Sequence, residues 1–174
     1  MSENEKYENF EKAIDNSSYK GVIISPTARL RKVLDYSDAT LRMKTRNVVK
    51  FDDKLARILD DMKLTMLVEN GCGLAGPQVG LLWKIAVVLF GNEYFELVNP
   101  VILEADGESI ETEGCLSIPS KLNGLVARPT RLRVQYQNRT GEIVEKEFND
   151  WLARIVCHEI DHLYGILFID KLVK

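Results

Sequence analysis

Histidine is nearly absent from this chain: two residues in 174, standing four positions apart as His158 and His162. Other scarcities narrow the class before any motif is read. Three cysteines, none in Cys-x-x-Cys spacing, argue against a disulfide framework and suit a reducing compartment. No apolar run is long enough to cross a bilayer, so no membrane role is expected. A net charge of −3, with no basic cluster interleaved with aromatics, gives no signature of direct, sequence-specific nucleic-acid binding. The opening residues Met1-Ser2-Glu3-Asn4-Glu5-Lys6 are acidic where a secretory or mitochondrial leader is basic or acid-poor. A cytoplasmic protein with one core of ordinary size is the expectation.

What is present is the run His158-Glu159-Ile160-Asp161-His162. On a helix, positions i and i+4 project in nearly the same direction, so both imidazoles can bind one metal ion. Glu159 then falls beside the ion, where a carboxylate can take a proton from a bound water. Trp151, Ile155, His158 and His162 continue one apolar stripe, which predicts an inward-facing site. Asn149 or Asp150 can cap this helix and Gly165 can end it, while Asp161 is expected to point outward or pair with a basic residue.

The remaining pattern predicts an α+β fold. Tyr7, Phe10 and Ile14 are spaced for a short amphipathic helix. A longer helix capped by Asp52 or Asp53 carries Leu55, Ile58, Leu59, Met62 and Met66 on its inner face and ends at Asn70-Gly71. Trp83 to Phe90 reads as a buried strand with Phe95 to Leu103 as its partner. Arg131 to Gln137 and Glu142 to Phe148 read as a hairpin, and Ile166 to Ile169 as a short strand.

Two imidazoles and a water leave one metal ligand to find. Phe168 occupies the place of the third histidine of the metzincin pattern, and the sole acid after His162 is Asp170. The ligand therefore comes from upstream, with cysteine as the natural candidate. Cys157 points away from His158 and reads as a helix core or boundary residue. Cys72, between two glycines, leaves a metal role open but reads first as a small buried side chain. Cys115 sits in Glu113-Gly114-Cys115-Leu116-Ser117. That stretch, together with Gly71-Cys72-Gly73-Leu74-Ala75-Gly76-Pro77-Gln78-Val79-Gly80 and the His-Glu-x-x-His run, resembles the three signature motifs of peptide deformylase in the same order. Gly76 and Cys157 stand where the family often has alanine and glutamine.

The resemblance runs from about Arg31, so residues 1–30 are read as an added N-terminal segment and 31–174 as the catalytic domain. It implies mainly antiparallel sheets packed around a central metal-binding helix, and hydrolysis of the N-formyl group from the initiator methionine of new polypeptides. By the same resemblance Cys115, His158 and His162 hold the metal, Glu159 moves the proton, and the Gln78 side chain and Leu116 N–H stabilise the oxyanion. Cys72, Leu122, Trp151 and Ile155 match the pocket wall. Gly71, Gly73 and Gly114 are expected to leave the backbone open to a substrate strand, the alternative being tight turns alone. The family metal is ferrous iron, with nickel, cobalt or zinc as substitutes. N-formylmethionyl nascent peptides are the implied partners. Transient ribosome association is also implied, weakened by the missing C-terminal helix common in bacterial members. A zinc endopeptidase and a catalytically silent binding module are the competing readings. The first lacks its class's third ligand; the second would be indicated by loss of Glu159 or Gln78, and both are present.

Overall fold

The computed structural model describes residues 23–173; the helix expected around Tyr7, Phe10 and Ile14 lies outside them. Its longer helix, α1 (Asp53–Val68), begins where Asp52 accepts hydrogen bonds from the Lys54 and Leu55 N–H groups, satisfying donors that a helix start leaves free. The chain leaves α1 through Asn70, whose φ is 57°.

Seven strands follow: β1 (Gly73–Ala75), β2 (Ile85–Phe90), β3 (Glu93–Asp106), β4 (Ser109–Glu113), β5 (Gly124–Arg128), β6 (Arg131–Gln137) and β7 (Ile143–Asn149). Five form an antiparallel sheet in the order β1-β2-β3-β6-β7, and β4-β5 is a separate hairpin. The second helix, α2 (Asp150–Leu163), carries both histidines.

The alternation of β2 explains the architecture. Ile85, Val87 and Leu89 face the core built on α1, while Ala86 and Val88 face the core that holds Leu152, Val156 and Ile160 of α2. Both faces of the strand are covered, which is why its sequence is apolar without a break. The β1-β2 end of the large sheet is thus clamped between the two helices. β3 outruns the expected Phe95 to Leu103 because it pairs with β2 at one end and β6 at the other. Its register shifts near Asn99, which sits at φ 51° and spends its amide on Val48 and Gln137.

Three local expectations are corrected and a fourth is met. Trp83 lies outside β2 and only bridges Arg46. Asn149 does not cap α2 with its side chain, which bonds Glu147 instead. The stretch Ile166 to Ile169 is no strand: a 3-10 turn covers Phe168–Lys171, closed by the Leu167 N–H donating to Asp170 at 2.9 Å. Asp161 pairs with basic residues as expected, taking both Arg128 and Lys171.

Candidate active site

Three segments meet on one side of α2. The helix contributes His158, Glu159 and His162, all buried. The turn after β4 contributes Cys115. The 3-10 turn Gly76–Val79 contributes Gln78. The segment before α1 ties the two turns down, with Leu34 N–H donating to Gln78 O and Tyr36 N–H to Ser117 O, each at 2.8 Å.

Cys115, His158 and His162 present one sulfur and two ring nitrogens, all within 4.8 Å of one another. Among the described residues they form the one such group of three. Cys115 Sγ lies 3.4 Å from His162 Nε2. His158 donates from Nδ1 to Glu113 Oε2 at 2.9 Å, which leaves its Nε2 as the free donor atom. Burial holds the His162 pKa well below the usual imidazole value, helped by the positive charge of His158, so this ring is neutral with a lone pair available. For His158, burial opposes protonation, but Cys115, Glu113 and Glu159 outweigh it and raise its pKa to about 10 in the metal-free protein. Surroundings that favour a proton so strongly also favour a metal cation. The donor chemistry fits a divalent ion.

Glu159 is buried with Oε2 unpartnered. Burial raises its pKa to about 7, with His158 opposing and Glu113 adding to the shift. Such a carboxyl can both take and return a proton at neutral pH. Gln78 is held by its oxygen, which accepts from the Ala75 N–H at 2.8 Å. Its Nε2 therefore turns toward Cys115 Sγ (3.3 Å) and Ser117 Oγ (3.2 Å).

A cavity of about 350 Å³ opens beside these groups, lined by Cys72, Gln78, Leu116, Trp151, Ile155 and Glu159 among others. Two expectations fail here. Leu122 is not in the wall: it packs against the cluster of Leu41, Ile118 and Phe168, while Ile118, Ser120 and Asn123 face the cavity. Cys72 is exposed, not a small buried filler. The apolar stripe of α2 also opens at its start, where Trp151 is 42% exposed as part of the cavity wall.

The three glycines line the cavity, and none has a positive φ, so no left-handed turn position requires them. A Cβ at Gly73 would lie 2.3 Å from Glu159 Oε1, one at Gly71 2.7 Å from Leu116, and one at Gly114 2.9 Å from Asn123. Their smallness makes room for the site's own side chains.

Sequence reading named Glu113 only as part of a motif and passed over Arg128 and Arg154. Glu113 Oε1 accepts from Arg128 Nε (2.8 Å) and Arg154 Nη1 (2.7 Å), and Oε2 accepts from Arg128 Nη2 (2.9 Å) as well as His158. Burial alone would raise the Glu113 pKa; hydrogen bonds from His158 and Arg128, with their charges, hold it at about 2. One signal was available: Arg154 precedes His158 by four residues and shares its helix face.

The family model for polypeptide deformylase matches residues 30–174. The chain belongs to that family. A peptide deformylase of Caldicellulosiruptor bescii is 49% identical over 145 residues, covering 83% of this chain and 87% of the relative. The crystal structure of peptide deformylase from Thermotoga maritima superposes with a TM-score of 0.82 at 38% identity, covering 84% of this chain and 99% of that one. A Met-Ala-Ser-bound crystal structure of a class I type b peptide deformylase from Acinetobacter baumannii gives 0.80 at 32% identity, covering 84% and 100%.

Proposed function

We propose that Cys115, His158 and His162 hold the metal of this enzyme and that Glu159 carries its proton. The reaction is that of the family, hydrolytic removal of the N-formyl group from the initiator methionine of newly made polypeptides, with release of formate. One observation supports the residue roles above all: a sulfur and two imidazole nitrogens converge beside a buried carboxylate that has no partner.

When bound, a divalent ion on these donors supplies a Lewis acid that brings the pKa of water toward neutrality. Glu159 takes the proton of the attacking water and hands it to the leaving amine. Gln78 Nε2, fixed by the Ala75 anchor, and the Leu116 N–H donate to the oxyanion; loss of one such donor costs about 3 kcal/mol in the transition state. Cys72, Trp151 and Ile155, joined by Ile118, take the methionine side chain, and Leu122 supports that wall from behind. Gly71, Gly73 and Gly114 keep the cavity deep enough for the peptide. The Met-Ala-Ser ligand of the Acinetobacter baumannii structure supports this peptide assignment.

The family is metal-dependent, and one soft sulfur with two imidazoles suits several divalent ions. We assign ferrous iron in the cell, with zinc, nickel or cobalt as substitutes. The division near residue 30 is supported by the span of the family match. No helix among the described residues is long and apolar enough to cross a membrane; we assign a cytoplasmic setting, in which the three cysteines stay as free thiols.

The test is formate release from a formyl-Met peptide by protein purified without oxygen, run beside Cys115→Ser. The wild type should release formate and the variant should lose its metal. Metal content unchanged by Cys115→Ser would remove the sulfur from the site.

A further inference from the structure

We propose that Arg154 is a positioning residue for the reaction: through Glu113 it fixes the ring orientation and donor strength of His158. The inference rests on the metal-site reading above.

Arg154 is 3% exposed and lies one turn before His158 on the same face of α2. Its Nη1 donates to Glu113 Oε1 and to Val126 O at 2.9 Å; its Nη2 donates to Ser109 O at 2.8 Å and Ser109 Oγ at 3.0 Å. One guanidinium thereby ties α2 to both strands of the β4-β5 hairpin, the element that also delivers Cys115. On its outer side the Trp151 ring covers it at 5.5 Å.

The chemistry follows from sharing one carboxylate. Glu113 accepts four hydrogen bonds, three from the two arginines and one from His158 Nδ1. Each positive donor draws electron density from the carboxylate and weakens its pull on the imidazole N–H. With both arginines in place, His158 keeps its proton on Nδ1 and would give up the one on Nε2 to a metal. Without Arg154, Glu113 loses a charged partner on Oε1, is tethered by Arg128 as its one remaining arginine and pulls harder on Nδ1–H. The imidazole is then less firmly aimed and electronically altered. Partners of this kind typically change metal affinity or activity by 10- to 100-fold.

The two histidines are the only ones in the chain, so nitrogen NMR of the imidazoles gives one assignable pair of rings. The experiment uses full-length protein loaded with Zn²⁺, in wild type, Arg154→Met, Arg154→Gln and Arg154→Lys. The neutral variants should move the His158 Nδ1–H signal while leaving His162 near its native position, and should release Zn²⁺ to a chelator about 10- to 100-fold faster. Deformylation should fall through kcat with little change in KM. Arg154→Lys, which restores the charge, should bring both the signal and the release rate back toward wild type. Arg154→Gln keeps an amide donor in the buried position and serves if Arg154→Met does not fold. A folded neutral variant with an unmoved His158 signal and a release rate within twofold of wild type overturns the inference, as does a Lys variant that behaves like Met. If Zn²⁺ moves neither ring signal in the wild type, the metal-site reading itself fails and the inference falls with it.

Discussion

Glu113 and Glu159 are equally buried, 5% and 4% exposed, yet they sit at opposite ends of carboxylate behaviour. Glu113 has both oxygens saturated by two arginines and a histidine, and its pKa is held at about 2. Glu159 has an oxygen with no partner, and burial lifts its pKa to about 7. Burial is common to both, so partners decide the role. The first is a permanent negative charge that orients; the second is poised to exchange a proton at neutral pH.

The sharpest way to break this comparison is to remove the poised member. Glu159→Ala should keep the metal and lower turnover by roughly 10²–10⁴-fold, the usual contribution of a general acid–base group. Metal analysis beside formate release checks it, and metal lost together with activity would make Glu159 a ligand. The metal-free protein sharpens the point through pH. A carboxyl raised in the folded state stabilises the fold below its unfolded pKa near 4.5, and that contribution is lost as pH rises through about 7. Glu159→Gln should flatten that part of the stability profile.

Removing the saturated member should act on the fold instead. Glu113→Ala leaves Arg128 and Arg154 buried without their shared anion, and breaking a buried pair from one side costs roughly 3–5 kcal/mol. Metal affinity should fall too, because His158 loses its orienting partner. The depressed pKa fixes the sign of the acid response. The Glu113 contribution is complete above its unfolded value near 4.5 and disappears as pH falls through about 2. Denaturant titrations of metal-free protein should show that acid limb in the wild type and not in Glu113→Ala.

Gly73 sits against the unpartnered carboxylate. Gly73→Ala places a methyl 2.3 Å from Glu159 Oε1, so the carboxylate must move. Overpacking of this kind costs about 1–3 kcal/mol, and displacing a reacting group by about 1 Å can cost 10²-fold in rate. We expect a large fall in kcat with metal content unchanged. An unaltered rate would show that Glu159 works from more than one position.

The difference between the two glutamates also marks what sequence reading reaches. Glu159 was legible because its neighbours His158 and His162 are local: helix periodicity alone places all three. The two-helix, antiparallel framework was legible for the same reason, from the Asp52 cap, the α1 stripe and the β6-β7 pair. Glu113 was opaque because its partners lie 15, 41 and 45 residues away and meet it only once the β4-β5 hairpin docks on α2. That hairpin went unread since Ser109-Ile110-Glu111-Thr112-Glu113 carries one large apolar residue, itself 47% exposed. At Ile166 to Ile169 the error ran the other way. Apolar composition predicted a strand, but the Asp170 carboxylate takes the Leu167 N–H and curls the chain. Leu122 shows the limit of motif matching, because the chain around it packs that side chain against the cluster of Leu41, Ile118 and Phe168 and presents Ser120 and Asn123 to the cavity.

The smallest expected effect comes from the ion pairs that water reaches most freely. Arg133 on β6 joins Glu104 on β3 and Glu145 on β7, a cross-strand triad on the outer face of the sheet. On paper it resembles the Glu113 cluster: charged side chains bridging three elements. Its members are 38–46% exposed, however, against 1–4% for Arg128, Arg154 and Glu113. Water and salt screen such pairs, and ordering three long side chains offsets most of what attraction remains. Arg133→Ala should therefore move the melting temperature by less than about 3 °C, with the shift shrinking further as salt is added, and should leave formate release unchanged. A loss comparable to that of Glu113→Ala would mean that number and geometry of partners, not their removal from water, set the strength of these clusters.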